Sequence, residues 1–283
     1  MANEVSVEPS GDGPATPEKQ DKAFRCPLCG GTQAQARFGP LLECSTCGLV
    51  CTDPAYTAPP AALYGESYYT ERNAYLEDSG VFLKMFGRML DHVQQRKAGG
   101  RLLDVGCGVG QLLQVAQARG YEVAGCDISA WATDYARAAG YDVRTGTLEE
   151  IHYEDGAFDI AVASHTLEHV PAPLPFLEEV RRVLRDDGLL VIAVPNFASV
   201  MAQMLRDRWA GLLPDQHLWH FTPKTLRTML DKAGFQTLEI TSDPYLHHHS
   251  NFVKDAALVA LSGFGNLIGR SDYMTAYAAK RQI

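Results

Sequence analysis

Short apolar runs alternate with amphipathic stretches along the chain from about residue 99 onward. The apolar runs predict strands covered on both faces, at 101–105 (RLLDV), 121–127 (YEVAGCD), 158–164 (FDIAVAS) and 188–195 (GLLVIAVP). The stretches between them have the spacing of helices that bury one face, at 110–119, 129–139 and 173–185. A short strand at 141–146, a helix at 223–233 and a late strand at 235–243 complete the pattern. This alternation predicts an α/β domain with a mostly parallel sheet and helices on both faces.

The segments outside this α/β region differ in composition, which divides the chain into five parts. The first 22 residues are rich in Pro, Gly, Ser and acidic side chains, so we expect a disordered tail. Small and apolar residues after 250 predict a helix with one apolar face, which could pair with a second subunit to form a homodimer. The five parts are a tail (1–22), a cysteine module (23–52), a Tyr-rich connector with a helix (53–98), the core (99–249) with an insertion at 196–222, and a C-terminal helical segment (250–283).

The bulk composition narrows the classes of function. Hydrophobic residues make up 46% of the 283, so the chain can bury a substantial core. The net charge of −9 argues against a nucleic-acid partner, because phosphate binding favours a basic surface. No apolar run is as long as the roughly 18 residues of a membrane span, and no basic-then-apolar leader is visible. We therefore expect a cytoplasmic protein without a membrane span.

Four of the seven cysteines form two matched CxxC pairs, CPLC and CSTC, separated by fourteen residues. A glycine follows each pair and lets backbone amides turn back toward a thiolate. Four thiolates close a tetrahedral zinc site that is structural, because no ligand position stays open for chemistry. The alternative is four ordinary free cysteines. The predicted ligands are Cys26, Cys29, Cys44 and Cys47.

The glycine-rich stretch 102–110 (LLDVGCGVG) joins a predicted strand to a predicted helix. In that context glycines let the backbone pass close to a ligand, and the helix amides receive a polar group. Asp127 ends the next strand, where a carboxylate can accept both ribose hydroxyls of a nucleoside. These features leave a dinucleotide and S-adenosylmethionine (SAM) open. The G-C-G-V-G spacing is one residue tighter than the dinucleotide pattern, and Asp104 is placed to meet an ammonium group, which favours SAM.

Four motifs occur in order between about residues 76 and 243: LLDVGCGVG, GCDIS, FDIAVASHTLEHV and GLLVIAVPN. Together they resemble class I SAM-dependent methyltransferases, and the resemblance implies a doubly wound, mostly parallel seven-stranded sheet of the Rossmann-like type. It also implies a set of residues that contact SAM. They are Asp104, Gly106, Cys107, Gly108, Gly110, Asp127, Ile128, Thr147, Leu148, Ser164 and His165.

The resemblance also distributes these contacts over the cofactor. The glycine turn and Asp104 wrap the methionine end of SAM, Asp127 takes the ribose, and Ile128 packs on the adenine. Thr147 and Leu148 flank the adenine edge. Many relatives carry an acidic residue at the Thr147 position, so here a hydroxyl or a backbone group would have to meet the adenine amine.

The stretch 214–223 (PDQHLWHFTP) lies in the insertion after the strand at 188–195, where a substrate lid is expected. With the cysteine module, it resembles the zinc-containing sugar methyltransferases, in which a histidine of an EH-type motif near a tyrosine is the base. His217 stands at the matching position after Gln216, and His220 stands where the tyrosine would be. The alternative is that both histidines pin the lid to the core.

A second histidine cluster, 165–169 (HTLEH), places His165, Glu168 and His169 on one face of a helical turn. It is similar to the ubiquinone-type O-methyltransferases, in which this region can hold a divalent metal. Local hydrogen bonding is the alternative. Either way, His169 is a third candidate catalytic residue. The run His247 to His249 is expected in a loop at the pocket rim.

These features predict a SAM-dependent methyltransferase acting on a small-molecule acceptor, most simply a hydroxyl of a sugar, glycolipid or natural product. Two alternatives stay open: a methyltransferase for RNA or protein, and a SAM-binding scaffold without catalysis. The cysteine module contains only Arg25 and Arg37 as basic residues, which disfavours RNA.

Overall fold

A computed structural model describes residues 24–57, 63–72, 76, 79–243 and 252–281. The predicted tail over 1–22 and the run His247 to His249 lie outside the described residues. The strands are β1 (Ala34–Ala36), β2 (Leu41–Cys44), β3 (Val50–Thr52), β4 (Arg101–Val105), β5 (Glu122–Asp127), β6 (Asp142–Thr145), β7 (Phe158–Ser164), β8 (Leu184–Pro195), β9 (Trp219–His220), β10 (Phe235–Asp243) and β11 (Tyr273–Lys280). The helices are α1 (Ser79–Gln94), α2 (Gln111–Ala118), α3 (Ala130–Ala138), α4 (Leu148–Ile151), α5 (Pro173–Val183), α6 (Val200–Leu205), α7 (Pro223–Lys232) and α8 (Phe252–Leu267).

The larger of two sheets has seven strands in the order β10-β11-β8-β7-β4-β5-β6. Strands β4 to β8 run parallel, and β11 pairs antiparallel with both β8 and β10. The chain order reverses beside β4, so the carboxyl ends of β4 and β5 border the crevice where open α/β sheets bind ligands. The predicted doubly wound, mostly parallel seven-stranded sheet is confirmed.

Both faces of this sheet are buried, because alternate residues of each central strand join different apolar clusters. On β7, Ala161 and Ala163 belong to the cluster that α5 and α7 cover. Ile160 and Val162 belong to the cluster that α1 and α2 cover. Successive side chains of a strand point to opposite faces, so an unbroken apolar run is what a doubly covered strand requires.

The smaller sheet has four strands in the order β1-β2-β3-β9. Its first three strands come from the cysteine module, and its fourth comes from the insertion at 196–222. Antiparallel pairing joins Val50 to His220 and Cys51 to Trp219. An apolar cluster between the two parts contains Leu41 and Val50 from the module and Phe197, Met201, Trp209 and Leu212 from the insertion. The insertion is therefore bound to the cysteine module.

The structure differs from the predicted C-terminal helical segment over 250–283. The helix α8 is present, but residues 273–280 form β11, inserted between β8 and β10. Two alanines, Ala276 and Ala278, are fully buried on one face, and Tyr277 is buried on the other. Small side chains fit this position between two paired strands, and pairing on both sides overrides the local preference of an alanine-rich stretch.

Within the part of the chain that the structure describes, none of the helices combines the length and the apolar character that crossing a membrane requires. The end of α8 exposes apolar side chains, with Leu267 at 83% and Phe264 at 54% exposure.

Candidate active site

The predicted glycine turn leaves the carboxyl end of β4 with three residues in the left-handed region. Gly106, Gly108 and Gly110 have φ angles of 80°, 50° and 85°. A Cβ on Gly106 would lie 2.4 Å from the hydroxyl of Thr166, which itself donates to the carbonyl of Val105. Glycine at this position is therefore required by both the backbone angle and the close approach of the loop after β7.

Asp127 ends β5 and closes the turn from the side. Its carboxylate accepts the backbone N–H groups of Gly108 and Ser129, each at 2.8 Å. Burial raises the pKa of Asp127, and hydrogen bonds from Ser129, Gly108 and Tyr69 oppose the rise. A carboxylate has about four acceptor positions and three are used, so one stays open for a ribose hydroxyl, and a second hydroxyl can bind where Tyr69 now donates. The geometry fits the role that the resemblance implies.

Asp104 and Ser164 supply two further polar groups to the same cavity. Asp104 is 3% exposed, and burial together with the charge of Asp127 raises its pKa from 3.8 to about 8. The buried hydroxyl oxygen of Ser164 has no hydrogen-bond partner among the described residues. A buried carboxylate and an unsatisfied buried hydroxyl both favour a polar ligand group, such as the amino-acid end of SAM.

The raised pKa of Asp104 predicts that SAM binding depends on pH. The ammonium group of SAM binds the carboxylate form, so binding below pH 8 must release a proton. As the pH rises from about 5.5 to 7.5, we expect the Kd for SAM to fall by up to about tenfold per pH unit. This range lies below that in which the ligand's α-amino group titrates.

Isothermal titration in buffers of different ionisation enthalpy measures this proton release directly. An Asp104→Asn variant keeps the shape but cannot titrate, so its weaker binding should lose most of the pH slope. A wild-type Kd that stays constant over that range would contradict the role of Asp104.

The cavity beside the turn has a volume of about 780 Å³. Ten of the eleven residues that the sequence assigned to SAM line this cavity, and Gly110 is the exception. Tyr64 and Tyr69 of the connector line it as well. Ile128 is 46% exposed on the adenine side, and Leu148 is 1% exposed. Gly110 differs from this set, because it caps α2 and packs near Tyr141 instead of lining the cavity.

The polar groups of Thr147 are hydrogen-bonded within the protein. Its hydroxyl accepts the N–H of Glu150, and its own N–H donates to the Glu150 carboxylate, which makes a capping box at the start of α4. The neighbouring Glu149 is exposed and also lines the cavity. Sequence reasoning missed this residue, although it is an acidic group only two positions after Thr147.

The cavity is covered by the connector and α1 instead of by the insertion. None of residues 196–222, all of which the structure describes, lines it. The lining includes aromatic and apolar side chains that precede the core in sequence: Tyr64, Tyr68, Tyr69, Phe82, Met85 and Phe86. Tyr69 stacks on Trp131 of α3 at 5.5 Å, which joins the connector to the core. The predicted lid therefore lies elsewhere, because its apolar side chains are buried against the cysteine module.

Among the three candidate catalytic histidines, His169 lines the cavity. Its Nδ1 lies 3.1 Å from the carbonyl of Gln216 and 3.0 Å from the hydroxyl of Tyr64. A carbonyl only accepts, so Nδ1 carries the proton and the Nε2 lone pair is available. Burial lowers the pKa of His169, which keeps the ring neutral near pH 7. A neutral imidazole with an available lone pair can accept a proton.

His217 and His220 lie behind His169, away from the cavity lining. The His217 ring centroid is 4.7 Å from that of His169, and its Nδ1 donates to the carbonyl of Gly211 at 2.9 Å. Burial lowers the pKa of His217 to about 4 and that of His220 to about 3. The ring of His217 is thus held within the insertion, and the ring of His220 is held by Thr52 of the cysteine module.

His165 has a φ angle of 55°, a strained backbone conformation at the end of β7. Its Nδ1 lies 3.2 Å from the carboxylate of Glu168. Burial alone would raise the pKa of Glu168, but the hydrogen bond from His165 and the nearby histidines lower it to about 2. Glu168 therefore carries a negative charge while it is 0% exposed.

Donor atoms of Glu168, His169 and His217 lie within 4.8 Å of one another, so the cluster could hold a metal ion or share a proton. This set differs from the predicted one, since His217 of the insertion replaces His165. The replacement depends on packing between segments far apart in sequence, which a local motif does not encode.

The four predicted zinc ligands converge. Their sulfur atoms all lie within 4.8 Å of one another, with 3.5 Å between Cys26 and Cys47 and between Cys29 and Cys44. Tetrahedral zinc with bonds of about 2.3 Å needs sulfurs about 3.8 Å apart, so the set fits the ion. Gly30 and Gly48, with φ angles of 73° and 78°, form the two turns.

The sequence of the core matches those of known methyltransferases. A family model described as a methyltransferase domain matches residues 79–240. A ubiquinone biosynthesis O-methyltransferase of Actinobacillus pleuropneumoniae is 32% identical over 130 residues, which cover 41% of this chain and 55% of that protein. A protein of the same description from Xanthomonas oryzae is 31% identical over 171 residues, which cover 55% of this chain and 72% of that protein.

The fold also matches a solved methyltransferase structure. The 1,6-didemethyltoxoflavin-N1-methyltransferase of Burkholderia thailandensis, with bound 1,6-didemethyltoxoflavin and S-adenosylhomocysteine, superposes with a TM-score of 0.56 and 17% identity. The match covers 88% of this chain and 100% of that chain. At this level of identity, the likeness shows a common fold.

Proposed function

The chain belongs to the methyltransferase-domain family and is a class I SAM-dependent methyltransferase, and from that premise we propose that it methylates a hydroxyl on an apolar, aromatic small molecule. The observation that carries this proposal is the position of neutral His169 in a cavity whose cover is aromatic. The curated relatives are described as O-methyltransferases of ubiquinone biosynthesis, which is consistent with a ring hydroxyl as acceptor.

The cover of the cavity favours an apolar acceptor over a sugar. Phe82, Met85 and Phe86 approach from α1, and Phe176 from α5. Flat aromatic surfaces suit an aromatic ring, whereas a sugar needs several convergent polar side chains. The sugar or glycolipid expectation is supported by the cysteine module and by the histidine-containing stretch 214–223.

SAM, when bound, supplies a methyl group on a positively charged sulfur. The protein must hold the acceptor oxygen in line with that methyl group and remove its proton. Nε2 of His169 is the acceptor of this proton in our proposal, because Nδ1 already carries one and is fixed by the Gln216 carbonyl. This assignment replaces His217 as the first candidate base.

Glu168 supports His169 electrostatically. Proton transfer makes His169 an imidazolium, and a carboxylate oxygen of Glu168 lies within 4.8 Å of a ring nitrogen. A buried negative charge at that distance stabilises the imidazolium strongly, since the surroundings exclude water. The proton then passes from His169 to solvent, which returns the ring to its neutral form for the next turnover.

A panel of acceptors tests the proposed substrate class. Purified enzyme receives methyl-labelled SAM with tert-butylcatechol, a nucleoside diphosphate-linked deoxysugar, or bulk tRNA. We expect labelled product from the catechol alone, because it matches the aromatic cover. Transfer to the deoxysugar instead would favour the resemblance to sugar methyltransferases, and transfer to tRNA would favour the macromolecular alternative.

We also propose that Cys26, Cys29, Cys44 and Cys47 bind one structural zinc ion. The support is the convergence of four sulfurs at tetrahedral spacing. All four thiolates are used, so the ion would supply folding energy to the module and take no part in methyl transfer.

A further inference from the structure

The cysteine module and the insertion share a fixed register. Beside the two pairings between β3 and β9, the N–H of Thr52 donates to the carbonyl of Leu218 at 3.0 Å. A one-residue slip would move every side chain of β9 to the opposite face, so the pairing determines where the insertion histidines point.

Thr52 makes two more contacts through its hydroxyl. The oxygen lies 2.7 Å from the carbonyl of His217 and 3.0 Å from Nε2 of His220, and the side chain is 4% exposed. A hydroxyl has one proton, and a carbonyl only accepts, so Thr52 donates to His217. Nε2 of His220 must then donate to Thr52, which fixes the tautomer of His220.

The insertion in turn holds the short turn that carries His169. The N–H of Leu218 donates to the carbonyl of Glu168 at 2.8 Å, and the indole N–H of Trp219 donates to the carbonyl of Val170 at 2.7 Å. The carbonyl of Gln216 accepts from Nδ1 of His169. Residues on both sides of His169 and its own ring are therefore positioned by three insertion residues, Gln216, Leu218 and Trp219.

The module cannot move as a separate body. Leu28 and Leu49 of the module are 1% and 2% exposed, and they belong to the same apolar cluster as Leu167 and Phe221. Densely packed interiors transmit small displacements, so a change in the module reaches the turn at 167–169.

We propose that the cysteine module is part of the acceptor-side machinery of this enzyme, with Thr52 as a positioning residue that holds His169 through the insertion segment 216–220. The inference rests on the proposed role of His169 as the base. It gives the module a task in the reaction that is distinct from stabilising the fold.

The first test reads the histidine rings and needs no acceptor. Protein labelled with ¹⁵N in histidine is compared as wild type, Thr52→Val, Thr52→Ser and Thr32→Val, with signals assigned by His→Gln variants. We expect the ring nitrogens of His169 and His220 to shift in Thr52→Val, return in Thr52→Ser and stay unchanged in Thr32→Val. Thr32 is an exposed threonine of the same module. Unchanged His169 signals in a folded Thr52→Val protein would overturn the inference.

The second test is kinetic and uses tert-butylcatechol as the acceptor. Thr52→Val should lower kcat by about 10- to 100-fold, because small displacements of a catalytic group have large effects, while the Kd for SAM stays unchanged. A variant that merely loses stability would keep kcat at low temperature. If Thr52→Val fails to fold, Trp219→Phe removes the anchor on Val170 and should shift the ring nitrogens of His169, while those of His220, which Thr52 still holds, stay unchanged. Unchanged His169 signals in this variant would again overturn the inference.

Failure of the inference and failure of the proposed function give different results. If His169→Ala retains full turnover, the base is another group and the proposed role of His169 falls. If His169→Ala is inactive and Thr52→Val has wild-type kcat and wild-type ring signals, only the role of Thr52 falls.

Discussion

A His169→Ala variant is expected to lose about 100- to 10,000-fold in kcat toward the accepted catechol, with a Kd for SAM within about twofold of the wild type. The loss follows from removal of the one among the three candidate catalytic histidines that lines the cavity. The retained affinity follows from the position of the SAM-facing carboxylates, which come from β4 and β5 instead. Product formation and isothermal titration measure the two quantities.

The pH dependence of kcat provides a further check on the same residue. Burial lowers the pKa of His169 below its ordinary 6.5. The base acts in its neutral form, so kcat should be level near pH 7 and fall only as the pH drops below 6.5. His152→Asn changes an exposed histidine whose φ of 52° asparagine tolerates, and it should leave the profile unchanged. An acid limb that persists unaltered in His169→Ala would show that another group titrates.

Loss of the zinc ligands is expected to have the largest effect on stability. A Cys26→Ser, Cys44→Ser double variant should lose its zinc and lower the Tm by about 10 °C or more, because structural zinc contributes of order 10 kcal/mol to small modules. Both replaced side chains are 1–2% exposed and belong to the main apolar cluster. The destabilisation should therefore reach the insertion and the core as well as the module.

Metal analysis and thermal unfolding of the purified protein measure this outcome. Cys51→Ala removes a thiol from the same sheet but outside the ligand set, so it should keep one zinc per chain. A double variant with unchanged Tm and unchanged metal content would refute the zinc site.

The glycine turn and Asp127 could be predicted from the sequence, because the features that determine their geometry are close together in the chain. A strand, three glycines that have positive φ and the next strand's terminal Asp127 follow one another within 27 residues, and each is constrained by its neighbours. The CxxC pairs could be predicted for the same reason, because two short turns determine their geometry. These features could be predicted without knowing what packs against them.

The acceptor side depends on contacts between distant segments, which local patterns do not encode. His217 matched a known motif, yet the pairing of β9 with β3 turns it behind His169. The insertion looked like a lid because it follows β8, but its apolar residues are buried against the module. Packing of the insertion against the cysteine module decides which of the histidines lines the cavity. The contact between Thr52 and His217 joins residues more than 160 positions apart in the sequence.

The position of β11 between β8 and β10 has a consequence for the order in which the sheet is assembled. Both neighbours are synthesised earlier, so until residue 280 has left the ribosome β8 keeps an unpaired edge and β10, the edge strand of the sheet, lacks its partner β11. Exposed apolar strand edges attract other chains. The nascent chain therefore passes through an interval in which the open edge of β8, whose residues 189–194 are apolar and buried in the folded sheet, can pair with other chains until β11 covers it.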